Sequence, residues 1–280
     1  MCRWLAYSGS PILLENMIYK PAHSLIDQSL HAKMGVETTN GDGFGVGWYG
    51  TSGTDDGGPA VVREIGPAWS NRNLRELAGH VRSHLFFAHI RASTGSAVQQ
   101  TNCHPFRHGR WMWMHNGAIA EFPRVRRDLL LAVDPELFLH IEGSTDSEVM
   151  FYLALTFGLE QDPPGAVARM AGLVEEVGRA HGVEHPLQMT VATTDGQSLW
   201  AFRYSTQRAS RSLFYSTRVE ALRALHPDLA FLRDASDDTR LVVSEPLGDL
   251  PGMWNEVPES TYGVVRPGGG ERLPFAPRVP

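Results

Sequence analysis

Apolar and polar positions first organise into short runs. Residues 3–7 and 12–14 read as two short strands around a Ser8-Gly9-Ser10-Pro11 turn. Residues 22–34 fit a short helix, and 41–50 a glycine-rich loop entering a strand. A strand is expected at 60–65 after the polar loop from Thr51 to Pro59, and the run Leu85-Phe86-Phe87-Ala88-His89-Ile90 reads as a buried strand. Trp111-Met112-Trp113-Met114 reads the same way and ends at an Asn-Gly pair, the strongest short signal for a hairpin turn.

The period then lengthens. Phe122–Val133 has helical spacing with Pro123 in its first turn. Residues 145–159 give the clearest helix, with Thr145 and Glu148 as a capping box and Val149, Leu153 and Phe157 on one face. A further helix is expected from Pro164 to about Arg179, stopped by Gly182. Strands return at 187–193, 198–204, 212–217, 240–244 and 261–265. Strands, then helices, then strands predict an α+β layered fold and not an alternating βαβ array. With no repeat and no long linker, the chain reads as a single domain over 1–280, with a loose Pro/Gly-rich tail from about 267.

Composition narrows this picture. A chain of 280 residues with 42% hydrophobic and 20% charged positions can bury a sizeable core and is not a disordered chain. The net charge of −6 argues against a basic nucleic-acid-binding face. The 28 glycines exceed the usual share of roughly 7% and suit many tight turns. Two cysteines make no disulfide framework, no apolar run reaches membrane-spanning length, and the start of the chain is not a signal peptide; the expected location is the cytoplasm.

Four places carry candidate chemistry. Loss of Met1 would give Cys2 both a thiol and a free α-amine, a nucleophile with its own base, although a cysteine at position 2 also arises by chance. Arg91, with Ser93 and Thr94, follows the 85–90 strand; it suits a carboxylate, or is a surface arginine. His115-Asn116-Gly117 offers an amide and a backbone N–H for an oxyanion, or a hairpin turn. Asp146 at a helix start suits an ammonium group, or simply complements the helix dipole. Together they describe a ligand with a carboxylate, an ammonium and an amide carbonyl, most simply glutamine. Gly45-Val46-Gly47-Trp48-Tyr49-Gly50 matches G-x-G-x-x-G, but an aromatic strand follows where a dinucleotide site needs a helix. Cys103, His104, His108 and His115 fit no common zinc spacing. No cofactor and no metal are expected.

Met1-Cys2, Arg91-Ala92-Ser93-Thr94, Asn102-Cys103-His104-Pro105, His115-Asn116-Gly117 and Thr145-Asp146-Ser147-Glu148, in that order, resemble the class II glutamine amidotransferases of the N-terminal-nucleophile (Ntn) hydrolase superfamily. Cys2-Arg3, the segment Asn40–Gly47, Val242–Leu247 and Trp254 look like the small free-standing members, which include the γ-glutamyl amidohydrolase of ergothioneine biosynthesis. Gly95 stands where synthetase-coupled members have His, and Ala92 where some have Trp. The resemblance implies an αββα sandwich of two antiparallel sheets. It implies Cys2 as nucleophile, Asn116 and Gly117 as oxyanion hole, and Arg91, Thr94 and Asp146 as the site for the glutamine head group. The expected activity is hydrolysis of glutamine or a γ-glutamyl amide through a cysteine thioester. The alternatives are a glutaminase subunit delivering ammonia to a separate synthase, or an Ntn amidase acting on a different amide. Neither nucleic acid nor membrane is an expected partner.

Overall fold

Antiparallel pairing along the chain builds two sheets in a computed structural model that describes residues 2–34, 39–50, 57–93, 95–229, 232, 235–266 and 269–280. The strands are β1 (Arg3–Leu13), β2 (Phe44–Trp48), β3 (Ala60–Glu64), β4 (Arg82–Ile90), β5 (Phe106–His108), β6 (Trp111–Ile119), β7 (Leu187–Thr194), β8 (Leu199–Ser205), β9 (Phe214–Ser216), β10 (Arg240–Val243), β11 (Trp254–Glu256), β12 (Thr261–Arg266) and β13 (Gly269–Pro274). The helices are α1 (Glu15–Ile18), α2 (Leu25–His31), α3 (Arg72–His80), α4 (Phe122–Leu131), α5 (Pro135–Phe138), α6 (Asp146–Thr156), α7 (Pro163–Ala180) and α8 (Val219–Leu225). One sheet has seven strands in the order β11-β9-β10-β1-β4-β2-β3, the other six in the order β13-β12-β8-β7-β6-β5.

Strand alternation sorts the core into three layers. Leu5, Tyr7, Phe86, Ala88 and Ile90 face outward from the first sheet onto Ile18, Leu25, Leu74 and Ala78 of α1, α2 and α3. Their neighbours Trp4, Ala6, Leu85 and Phe87 face inward onto Met112, Met114, Ala192 and Leu199 of the second sheet. Trp111 and Trp113 point the other way, into a third cluster with Val125, Phe151, Val167 and Met170 of α4, α6 and α7. Three apolar interfaces between two sheets and two helical layers make the αββα sandwich.

Several expectations need correction. Residues 3–13 form one strand, because β4 is long enough to pair both halves; the Ser-Gly-Ser-Pro segment is absorbed as a register shift between Ser8 and Ile12. Asn116-Gly117 is not a turn. β6 runs through it to Ile119, pairing Asn116 with Thr190 and Gly117 with Met189, so a full ladder with β7 outweighs the local turn preference. Gly117 is needed there: its φ is +151°, and a Cβ would lie 2.0 Å from the Gln188 carbonyl oxygen. The tail is not loose. Residues 269–274 pair with β12, Phe275 is buried against Phe202 and Tyr204, and the Arg278 N–H reaches the Ala168 carbonyl at 2.9 Å. The capping box is half formed. Thr145 Oγ1 accepts from the Glu148 N–H, but the Glu148 carboxylate turns to the N–H groups of Glu142 and Gly143. Nor is α6 apolar on one face only, since every residue from Ser147 to Leu155 is buried.

Candidate active site

The site begins at the end of the strand ladder. Arg3 pairs with Ile90 and Phe44 pairs with Ile90, so Cys2, Arg91 and Gly43 emerge side by side from β1, β4 and β2. Cys2 is partly exposed, with its Sγ 3.5 Å from the Ala92 carbonyl. Burial pushes its thiol pKa up, opposed by the nearby positive charges of Arg91 and Arg3.

Across the inter-sheet space, β6 delivers Asn116, whose Nδ2 donates to the Cys2 carbonyl at 3.1 Å. The Ile119 N–H is spent on Asp146 Oδ2 at 2.8 Å, on the side of β6 away from β7, and β5 pairs with β6 only as far as Trp113. Strand alternation turns the Gly117 N–H toward that same uncovered edge. Gly117 therefore presents a backbone donor next to the Asn116 amide.

Arg91 is buried, with its backbone clamped by Gly43 and Asp42. Nη2 donates to Ser93 Oγ, Ser96 Oγ and the Ala97 carbonyl at 3.2, 2.8 and 3.0 Å. Its Nη1 is buried and has no partner among the described residues. A desolvated guanidinium N–H without an acceptor is costly, and a carboxylate is the group that would satisfy it. Thr94 lies outside the described residues.

Asp146, partly exposed, starts α6. Its Oδ1 accepts from the Ser147 N–H at 2.8 Å while Oδ2 takes Ile119, so the carboxylate is fixed to both helix and sheet. His115 completes this brace: its Nδ1 lies 2.7 Å from Ser147 Oγ and its Nε2 3.4 Å from the Gln188 carbonyl. Burial lowers the His115 pKa, with Asp146 pulling the other way.

Supporting residues escaped the sequence reading because their partners are distant in the chain. Asp42 Oδ2 accepts from the Ser93 N–H at 2.7 Å. Asn102, wholly buried, donates to the Ala97 carbonyl that Arg91 also uses and receives the Ser144 N–H, tying the Arg91 loop to the start of α6. Only the Asn102-Cys103-His104-Pro105 motif gave a hint of it. The rings of His89 and His104 lie tilted against each other with centroids 4.2 Å apart, both buried; burial lowers the His89 pKa to about 3 and that of His104 well below its usual value. Cys103 is a packing residue, buried under Gly43, where a Cβ would meet its Sγ at 2.5 Å.

Among the described residues, no group of three or more His, Cys, Asp or Glu side chains is arranged to hold a metal ion. The Gly45–Gly50 run forms β2 and its exit, paired antiparallel with β3, and starts no helix. No helix among the described residues is long and apolar enough to cross a membrane. Chemically, the arrangement sets a thiol, two oxyanion-type donors, a guanidinium with a free N–H and a fixed carboxylate around one end of the sandwich.

The family profile of the class II glutamine amidotransferases matches residues 12–276. The probable glutamine amidotransferase DUG3 of Saccharomyces cerevisiae is 35% identical, over 95% of this chain and 82% of its own. The gamma-glutamyl-hercynylcysteine sulfoxide hydrolase of Mycolicibacterium smegmatis is 25% identical, over 95% of this chain and 96% of its own. The solved structure of a glutamine aminotransferase class-II domain protein from Silicibacter pomeroyi superposes with a TM-score of 0.73 at 35% identity, covering 99% of this chain and all of that one. A glutamine phosphoribosylpyrophosphate amidotransferase from B. subtilis shares the fold, with a TM-score of 0.64 at 14% identity over half of its chain.

Proposed function

Because the chain belongs to the class II glutamine amidotransferase family, we propose that it is a cytoplasmic, single-domain amidohydrolase of glutamine or a γ-glutamyl amide, with Cys2 as its nucleophile. The observation that carries this reading is the convergence of Cys2, the Asn116 amide and the unpartnered Nη1 of Arg91, where β1 begins beside the end of β4 and opposite the middle of β6. The M. smegmatis relative, named as a hydrolase of a γ-glutamyl compound, supports the γ-glutamyl amide as the substrate class.

Removal of Met1 frees the Cys2 α-amine. That amine takes the thiol proton, and the thiolate attacks the side-chain amide carbon. The oxyanion accepts from Asn116 Nδ2 and the Gly117 N–H. The α-ammonium then protonates the leaving nitrogen as the C–N bond breaks, leaving a γ-glutamyl thioester. Water, deprotonated by the same amine, attacks the thioester; glutamate leaves and the thiol is restored. Arg91 and Thr94 hold the substrate α-carboxylate and Asp146 its ammonium. Two opposite charges at the head-group end favour an amino-acid substrate over an uncharged acyl amide. The Nη1 of Arg91 has no partner among the described residues, which leaves it available to the substrate carboxylate.

Mass spectrometry tests the reading. The purified protein should lack Met1 and gain a single adduct at Cys2 from a diazo-ketone glutamine analogue. Retention of Met1, or no adduct on a processed and folded chain, would overturn it.

A further inference from the structure

The outer face of the first sheet holds a buried ionic cluster that the reaction itself does not use. Beyond β10, the Ser244 N–H bonds to the Trp4 carbonyl at 3.0 Å, and Glu245 follows beneath α2. The Glu245 side chain is 2% exposed, and both its oxygens are saturated. Oε2 accepts from Arg3 Nε at 2.7 Å and the Met34 N–H at 3.0 Å. Oε1 accepts from the Lys33 N–H at 2.8 Å and sits 2.5 Å from His23 Nε2. His23 is held by Asp27 at 2.6 Å through its other ring nitrogen. Gln28 Nε2 reaches the carbonyls of His23 and Glu245 at 3.0 and 3.2 Å, locking α2 against the same point.

Arg3 carries this rigidity to the nucleophile. Its Nη1 donates to the Cys2 carbonyl at 3.0 Å, the same oxygen that Asn116 Nδ2 grips from the inter-sheet side. Its Nη2 donates to the Met34 carbonyl, so one guanidinium ties the start of β1 to the stretch just after α2. The Cys2 peptide is thus held from both faces of the sheet, and one of the two grips ends on Glu245. Buried ion pairs contribute little net stability compared with apolar packing, but they fix direction. A thiol that must meet its own amine on one side and an amide carbon on the other needs direction above all.

We infer that Glu245 is a positioning residue for Cys2, acting through Arg3. The inference rests on the functional reading above. Neutralising the carboxylate turns the charge-assisted grip on Arg3 Nε into a neutral one, so the guanidinium and the Cys2 peptide it holds lose fixed direction and drift from the attack geometry while Arg91 and Asp146 still bind substrate. A misplacement of about 1 Å costs on the order of 100-fold in rate.

The experiment compares wild type, Glu245→Gln, Arg3→Lys and the double variant, all with Met1 removal verified. Glu245→Gln should lower kcat for glutamine or a γ-glutamyl amide by about 30- to 100-fold, with KM within about threefold, and slow diazo-ketone labelling of Cys2 by a similar factor. Arg3→Lys keeps the charge and loses the fork, so it should show the same split between kcat and KM, and the double variant should be no worse than the poorer single one. A purely structural role predicts a lower Tm with wild-type kcat in the folded fraction; that result in either single variant, or additive losses in the double one, would overturn the inference. If Glu245→Gln does not fold, Arg3→Lys decides alone. An inactive, unlabelled wild type would instead overturn the functional reading, and the inference that rests on it falls with it.

Discussion

Replacing Asn116 by Ala separates catalysis from stability at one buried atom. Asn116 is 5% exposed, and its Nδ2 lies 3.1 Å from the Cys2 carbonyl. Truncation removes this donor, yet the carbonyl keeps Arg3 Nη1 at 3.0 Å and is not orphaned. The stability loss should therefore be that of a neutral hydrogen bond, about 1 kcal/mol. A domain stable by roughly 5–15 kcal/mol stays folded after such a loss. In the proposed mechanism the transition state is hit harder, because the oxyanion loses one of the two donors assigned to it. That costs about 10²–10³ in kcat, or about 2.7–4 kcal/mol. KM should move only a few-fold, since the contacts proposed for the head group, with Arg91 and Asp146, are left in place. The assay is glutamate release at saturating substrate, with a urea denaturation curve on the same preparation. A kcat within threefold of wild type, on protein that has lost Met1, would refute the assignment of Asn116 to the oxyanion.

Two further outcomes follow from the same geometry. Arg91→Gln should raise KM for glutamine by at least about 30-fold with a smaller change in kcat, because it removes a buried charge–carboxylate contact worth about 2–5 kcal/mol; an unchanged KM would favour an amide without an amino-acid head group. His89, His104 and His115 are buried with pKa values held below normal, His89 at about 3. Below about pH 6.5 the unfolded chain binds the extra protons, so unfolding free energy should fall as pH falls, by up to about 1.4 kcal/mol per pH unit for each histidine. Glu245 and Asp27, whose carboxyl pKa values are depressed, add losses of the same sign at still lower pH. The urea midpoint should drop between pH 8 and 5.5; an equal or higher midpoint at pH 5.5 would contradict neutral burial of these rings.

Much of this protein was legible along the chain because its signals are local. The alternation of Trp4, Leu5, Ala6 and Tyr7, and of Leu85 to Ile90, reports directly which side chains face which layer. A cysteine after Met1 carries its thiol and its prospective amine in one residue, and Thr145 caps α6 within three positions. Elements with weak local signals were missed. β5 and β11 are three residues each, too short to show a period, and β13 is glycine-rich and polar, held by its partner β12 and not by its own propensity.

The tertiary structure decided what local preference could not. Asn116-Gly117 has the composition of a turn, yet it lies mid-strand, because the ladder with β7 runs unbroken from Met112 to Ile119 and its hydrogen bonds together outweigh the one a local turn would make. Arg91 looks like a surface arginine until Ser96, Ala97 and Asn102 fold over it and leave one side-chain nitrogen without a partner among the described residues. Glu245 meets Arg3 across 242 residues of chain. Nothing at either position announces the other, since a charge pair has no periodicity and its burial depends on the sheet order that places β10 beside β1. The sequence by itself determined the chemistry available and the layers that carry it. The packing of those layers determined which groups meet, how far each is removed from water, and hence which of them can act on a substrate.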